Sequence, residues 1–203
     1  MAIFEQHVHD NKTDEWATPK GFIRPLAEAV GGFDLDPCSG AEDKPHAENV
    51  YTVEDDGLAQ EWFGAVWVNP PFSDKAKWIQ KAIEETNRGN ADLVVVLLPV
   101  DTSTEWFHDL VSNAVVHAFI GPGRQDFDRR SKEPAGGNPS FAIMLAVFGE
   151  HAPKELLGYL SRKGIVFYNR SLWKEQNQAV LFAQNGAETD GIEDTDSDRE
   201  GSP

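Results

Sequence analysis

Apolar residues in this chain fall into short runs separated by stretches whose apolar positions recur at helical spacing. The run DLVVVLLPV (92–100) is continuous and rich in β-branched residues, which predicts a central strand buried on both faces. GFDLDPC (32–38) reads as a strand ending in a Pro-containing turn, NVYTV (49–53) as a short strand, and AVWVNPPF (65–72) as a strand stopped by two prolines. VVHAFIG (115–121) and FAIMLAVFG (141–149) complete the strand set. Between them, Ser73 or Asp74 opens a predicted helix to about Asn87, with Trp78, Ile79 and Ile83 on one face, and Thr104 opens another with Trp106, Phe107 and Leu110 inward. Residues 152–163 and 171–184 read as two further helices, with the apolar IVFYN between them. Such alternation predicts an α/β domain with a mostly parallel central sheet covered on both sides. The strands at 115–121 and 141–149 lack a clear helix between them, which predicts an antiparallel pair at one edge.

The 203 residues suit one domain and are short for two. Residues 1–13 read as a loose polar arm, 14–185 as the folded domain, and 186–203 as an acidic tail with too little apolar surface to order itself. With 40% hydrophobic and 26% charged residues, the composition is that of an ordinary globular protein. No apolar run reaches the roughly 20 residues that span a bilayer, and the first residues do not read as a signal peptide, so no membrane partner and a cytoplasmic location are expected. A single cysteine, Cys38, excludes an internal disulfide and a Cys-rich zinc site. The six histidines show no metal-ligand spacing, so no metal is expected.

Charge is the departure from the ordinary. The net value is −16, and the tail, with seven acids and one Arg, accounts for −6 of it, so the body is acidic on its own account. An acidic body repels a phosphate backbone, which favours a protein that avoids nucleic acid. The alternative, favoured here, is a halophilic host cell, in which salt screens charge over roughly 3 Å or less and acidic surfaces keep proteins hydrated.

Asn69-Pro70-Pro71-Phe72 carries the strongest local chemistry. It follows a buried strand, and open α/β sheets bind ligands at strand carboxyl ends. Proline lacks an N–H, so the segment is rich in acceptors and poor in donors, and the fixed φ holds those acceptors still. An exocyclic arylamine is a weak nucleophile because its lone pair is delocalised into the ring. Acceptors on both of its N–H bonds, here the Asn69 side-chain oxygen and the Pro70 carbonyl, draw it toward a tetrahedral amine with a directed lone pair. Phe72 offers a face on which a base can stack, worth roughly 1–3 kcal/mol. The rival reading is a strand that simply ends in a Pro-Pro turn. Asp36, at the end of the strand before Pro37, Cys38 and Ser39, can hold a charged cofactor or serve only as a turn cap. Asp56, in EDDGL, either reaches the same crevice or belongs to a solvated acidic turn.

Taken together these pieces resemble the phage-type, Dam-like DNA N6-adenine methyltransferases. The matching segments are Asp14 to Pro19, Phe33 to Cys38, Asp55 to Leu58, Trp67 to Phe72, Leu98-Pro99, Trp106 to His108, Gly123-Arg124 and Gly137 to Ser140, in family order over about 14–149. The resemblance implies a Rossmann-like methyltransferase fold with S-adenosyl-L-methionine as cofactor. It implies a catalytic segment at Asn69, Pro70, Pro71 and Phe72, and cofactor contacts at Asp36, Pro37, Cys38, Ser39, Asp56 and Asn69. Thr18 and Pro19 match the segment at the cofactor's methionine end, and Trp16 is a candidate lining residue. Two features depart from the general methyltransferase pattern: DPCSG has no second glycine soon after, and no acid ends NVYTV.

The expected partner is double-stranded DNA, with the target adenine flipped out of the helix. The stretch 121–140 places Arg124, Arg129, Arg130 and Lys132 among glycines and prolines, with Asn138 and Ser140 beyond, and is the candidate DNA-contact loop. Its rival is a solvated hairpin, since Asp126, Asp128 and Glu133 offset much of the charge. Lys75, Lys77 and Lys81 suit phosphate contact or an exposed helix face equally. Competing activities are methylation of RNA adenine or protein glutamine, and a non-catalytic acidic mimic of DNA. A stand-alone methylase is the simpler expectation, with restriction evasion, regulation and the choice between monomer and homodimer left open.

Overall fold

The computed structural model describes residues 16–39, 46–122, 128–129, 141–169 and 171–172. Its elements are β1 (Trp16–Ala17), α1 (Lys20–Val30), β2 (Leu35–Asp36), β3 (Asn49–Val50), β4 (Gly64–Val68), α2 (Lys75–Arg88), β5 (Ala91–Pro99), α3 (Glu105–Asn113), β6 (Val116–Ile120), β7 (Asp128–Arg129), β8 (Ile143–Gly149), α4 (Lys154–Lys163) and β9 (Gly164–Tyr168).

Seven strands form one sheet in the order β3-β2-β4-β5-β8-β6-β9. The pairs β3·β2, β2·β4 and β4·β5 are parallel, whereas β8 is antiparallel to both β5 and β6, and β9 is antiparallel to β6. Five strands therefore share one direction and two oppose it. This is the mostly parallel sheet that the pattern predicted, with its antiparallel part carried one strand further: β9 is the edge.

The nine-residue β5 shows how the sheet is clad. Leu93, Val95 and Leu97 enter one core with Phe22, Ile23 and Leu26 of α1 and Leu156, Leu157 and Leu160 of α4. Val94, Val96 and Leu98 enter the other with Ile79, Ala82 and Ile83 of α2 and Leu110 of α3. Period-two alternation thus feeds two helical layers from one strand, which is why Leu93 to Leu98 are apolar without a break. β8 repeats the division, with Leu145 and Val147 on the α1/α4 face and Met144, Ala146 and Phe148 on the other.

The position of the site follows from one reversal of strand order. From β2 the chain moves outward to β3, then returns to place β4 on the opposite side of β2 and proceeds to β5. Leu35 is aligned with Val66, so Asp36 and Asn69 leave adjacent strands at the same sheet edge. A side chain reinforces the junction: Asp34 Oδ2 accepts the Ala65 N–H at 2.7 Å, and Gly64 adopts φ +61° directly against that carboxylate, where a Cβ has no room.

Candidate active site

The turn after β4 sorts its own carbonyls. Asp74 N–H donates to the Pro71 carbonyl at 3.2 Å, and Lys75 Nζ donates to the Phe72 carbonyl at 2.7 Å. The Pro70 carbonyl takes neither bond, and neither proline can supply a donor. Pro70 is buried, Pro71 and Phe72 are half-buried, and the Phe72 ring meets the edge of Phe141 at 5.3 Å between centroids. Asn69 does not enter the core. It is half-buried, and its Nδ2 donates to Thr18 Oγ1 at 3.0 Å, so Oδ1 is the acceptor end of the amide.

On the neighbouring strand Asp36 is 4% exposed, and its Oδ1 accepts the Cys38 N–H at 3.2 Å. This is the turn-capping bond of an acid two residues ahead, and it holds the carboxylate at the mouth of the loop. The Tyr51 N–H donates to the Asp36 carbonyl and the Ser39 N–H to the Tyr51 carbonyl, which stitches the loop to the end of β3. Pro37 is buried, and Cys38 and Ser39 are half-buried.

The acidic turn at 54–56 separates into two kinds of carboxylate. Glu54 and Asp55 both accept from the Thr52 hydroxyl, at 2.7 and 2.9 Å, and Asp55 also accepts the Thr52 N–H. Those bonds from Thr52 hold both carboxyls below their usual range. Asp56 stands apart, exposed, with a φ of +52° that a residue with a side chain rarely adopts. Its neighbour Gly57 packs so closely on the Pro37 carbonyl that a Cβ would collide with it, and the Gly57 carbonyl accepts from Trp62 Nε1 at 2.8 Å. The solvated-turn reading therefore fits Glu54 and Asp55, while Asp56 is fixed next to the Asp36–Ser39 loop.

Thr18, 5% exposed, arrives from the start of the domain. It sits between β1 and α1, and the Pro19 carbonyl begins the helix by accepting the Phe22 and Ile23 N–H groups. β1 pairs with β7, Trp16 opposite Arg129 and Ala17 opposite Asp128. This ribbon joins the segment that touches Asn69 to the basic stretch. Of the other candidate DNA contacts, Arg124, Arg130, Lys132, Asn138 and Ser140 lie outside the described residues, as do the arm and tail. Most of the predicted helix at 171–184 lies there too.

Three contributions to the site are absent from the linear pattern: the Thr18–Asn69 bond, Phe141 against Phe72, and Lys75, whose Nζ also lies 5.2 Å from the Trp106 ring centroid. Each joins residues of different elements or a side chain to a backbone carbonyl, so periodicity carries no trace of them. No group of acids, histidines and cysteine able to hold a metal ion occurs among the described residues. No helix among them is long and apolar enough to cross a membrane.

The family model for DNA N-6-adenine-methyltransferase (Dam) matches residues 5–169, most of the chain and all of this site. The chain belongs to the Dam family. The match of the Dam chain to a DNA N-6-adenine-methyltransferase of Haemophilus phage HP1 (strain HP1c1) is 34% identical over 143 residues, 69% of this chain and 81% of the relative. A DNA N-6-adenine-methyltransferase of Escherichia phage T1 is 37% identical over 114 residues. That match spans 55% of this chain but under half, 46%, of the phage T1 protein. Among solved structures, the 23S rRNA methyltransferase ErmE aligns with a TM-score of 0.42 at 12% identity, over 86% of this chain and 81% of its own.

Proposed function

We propose that this Dam-family protein is an S-adenosyl-L-methionine-dependent DNA methyltransferase that methylates the N6 amine of a flipped adenine. The observation that carries the reading is the placement of Asn69 beside the Asp36 loop at the reversal of strand order, with the Asn69 amide fixed by Thr18 rather than turned into the core. Family membership supports the same activity.

The residues present fit the cofactor. Its amino group and sulfonium are cationic, and the candidate pocket is edged by the buried Asp36 and the exposed Asp56. Gly57 lets the backbone of the two loops meet without a side chain between them. Asp36, Pro37, Cys38, Ser39 and Asp56, with Trp16, Thr18 and Pro19 at the other end, are the residues proposed to hold it. When bound, it supplies a methyl group already activated on sulfur, so the protein needs positioning rather than a covalent nucleophile or a metal. Asn69 Oδ1 and the Pro70 carbonyl each accept one N–H of the target amine and draw its lone pair out of conjugation with the ring. Phe72, backed by Phe141, holds the base. With the cofactor held by those residues, the amine would be placed to take its methyl group, and the proton the amine gives up would pass to solvent.

Arg124, Arg129, Arg130, Lys132, Asn138 and Ser140 are proposed to contact double-stranded DNA. The pairing of Arg129 with Trp16, two residues from Thr18, supports a position for this stretch beside the site. We take 14–185 as the catalytic domain and the cytoplasm as its location. The acidic body fits a salt-rich cell, and thermal stability that rises steadily between 0.1 and 2 M KCl is the corresponding measurement.

Asn69→Ala tests the central assignment. The variant should bind S-adenosylhomocysteine within about threefold of the parent in calorimetry and transfer no labelled methyl to duplex DNA. Methyl transfer at the parental rate would sink the reading. Labelling of RNA or of protein glutamine, with duplex DNA untouched, would redirect it to those substrates. Absence of cofactor binding by the parent would favour a DNA mimic.

A further inference from the structure

We infer that Thr18 is a positioning residue for the reaction: its hydroxyl anchors the Nδ2 end of the Asn69 amide and so fixes where Oδ1 stands toward the target amine. The inference rests on the catalytic reading of Asn69 above and adds a residue that acts through it.

A side-chain amide fits its slot in two orientations related by a half-turn, one presenting oxygen and the other NH2. Only the oxygen serves here. An NH2 facing an arylamine opposes donor to donor and leaves the lone pair delocalised in the ring. A hydroxyl both donates and accepts, so Thr18 does not choose between the two orientations; it fixes the plane and reach of the amide by bonding the end far from the amine. That far end meets Thr18 Oγ1, which accepts from Nδ2 at 3.0 Å across 51 residues of sequence. Thr18 is 5% exposed, so water does not readily replace the hydroxyl as a partner.

The hydroxyl is itself held firmly. Thr18 is β-branched and therefore restricted at χ1. It is bracketed by the β1·β7 ribbon on one side and by Pro19 on the other, where the fixed φ of proline (−63°) starts α1. The buried side of that helix anchors it: Phe22, Ile23 and Leu26 all lie in the core. Tyr159 of α4 adds a bond from its hydroxyl to the Phe22 carbonyl at 3.2 Å. The result is a rigid line from the core through α1 to the Asn69 amide.

Two substitutions separate orientation from packing. Thr18→Val keeps the shape and removes the hydroxyl, whereas Thr18→Ser keeps the hydroxyl and removes the methyl. With duplex DNA and cofactor both saturating, Thr18→Val should lower kcat about tenfold, the worth of one neutral hydrogen bond in the transition state. Thr18→Ser should recover kcat to within about threefold of the parent. Melting temperature and S-adenosylhomocysteine affinity are measured on both variants. Thr18→Val with an unchanged kcat overturns the inference, whether its cofactor affinity falls or not, since Thr18 is then a cofactor contact or plain packing. Loss of kcat in Thr18→Ser equal to that in Thr18→Val overturns it too, because the methyl rather than the hydroxyl would then matter. Asn69→Ala, run alongside, tells the two failures apart: an inactive Asn69→Ala with a normal Thr18→Val removes only the role of Thr18, whereas an active Asn69→Ala removes the catalytic reading itself.

Discussion

Lys75 Nζ donates to the carbonyl of Phe72 at 2.7 Å while lying 5.2 Å from the centre of the Trp106 ring, so one half-buried ammonium ties the turn after β4 to the first turns of both α2 and α3. A charged donor on a carbonyl is a stronger tie than a neutral one, and the ring face adds attraction of its own. The stacking of a base proposed for Phe72 requires this end of the turn to be held.

Lys75→Met keeps the aliphatic stem and removes both interactions. The single-turnover rate of methyl transfer should fall about five- to twentyfold, while S-adenosylhomocysteine affinity, set on the β2 side, stays within about twofold. A variant that turns over at the parental rate would show that the turn holds its shape without the lysine.

Gly57→Ala tests the closeness of the two loops. The added methyl meets the Pro37 carbonyl, so either the Asp56 turn or the Pro37–Ser39 segment must move. Affinity for S-adenosylhomocysteine should drop about tenfold or more by calorimetry. The Trp62 Nε1 bond to the Gly57 carbonyl ties this turn to a fully buried indole, so a loss of about 1–3 kcal/mol in urea unfolding should accompany it. Unchanged affinity would detach Asp56 from the cofactor site.

What the sequence made legible follows from how local each signal is. β5 announced itself because both of its faces are covered and the six positions Leu93 to Leu98 are all apolar and buried. The turn at Asn69 stood out because two consecutive prolines can end a strand but not continue one. α1 escaped because Pro25 lies inside it and breaks the usual helical pattern, although Phe22, Ile23 and Leu26 still make a buried face. β9 escaped for another reason: it starts directly at the end of α4 with no connecting loop, and as an edge strand it leaves Ile165 and Phe167 on the exposed side. β1 and β7 are two residues each, too short for any period. The candidate residues could be named one by one; their bonds to one another could not, because Thr18 and Asn69 stand 51 residues apart in the chain.

Glu85 is a charged residue of α2, yet it is 1% exposed. Its carboxylate receives Lys81 Nζ at 2.8 Å, Asn90 Nδ2 at 2.9 Å and the Trp62 N–H at 3.4 Å. Burial raises the carboxyl pKa, but the bonds from Lys81, Asn90 and Trp62 outweigh it and leave it below the ordinary 4.5. Glu85→Leu removes the acceptor and strands those donors, so chemical denaturation should show a loss of about 2–4 kcal/mol. Because Glu85 lies toward the far end of α2 from the catalytic turn, kcat of the folded fraction should be unchanged.

His117 supplies a pH dependence whose sign can be fixed. It lies on β6, 8% exposed, with its ring stacked on Phe167 at 5.3 Å and 11°, and its buried Nδ1 has no hydrogen-bond partner among the described residues. Burial disfavours the imidazolium and pushes the pKa below the ordinary 6.5. Below that value the unfolded chain takes up a proton that the folded chain refuses, so stability is complete above pH 6.5 and declines as the pH falls toward the folded-state pKa. Below the folded value the ring is protonated in both states and the decline from this group stops. Phenylalanine at this position keeps the stack and cannot titrate. The urea midpoint of the parent minus that of His117→Phe should therefore become more negative between pH 7 and pH 5.5, the carboxylates common to both proteins cancelling in the difference. If the two midpoints fall in parallel over that interval, His117 is protonated as readily in the folded chain as in the unfolded one. Its place against Phe167 would then have no electrostatic consequence.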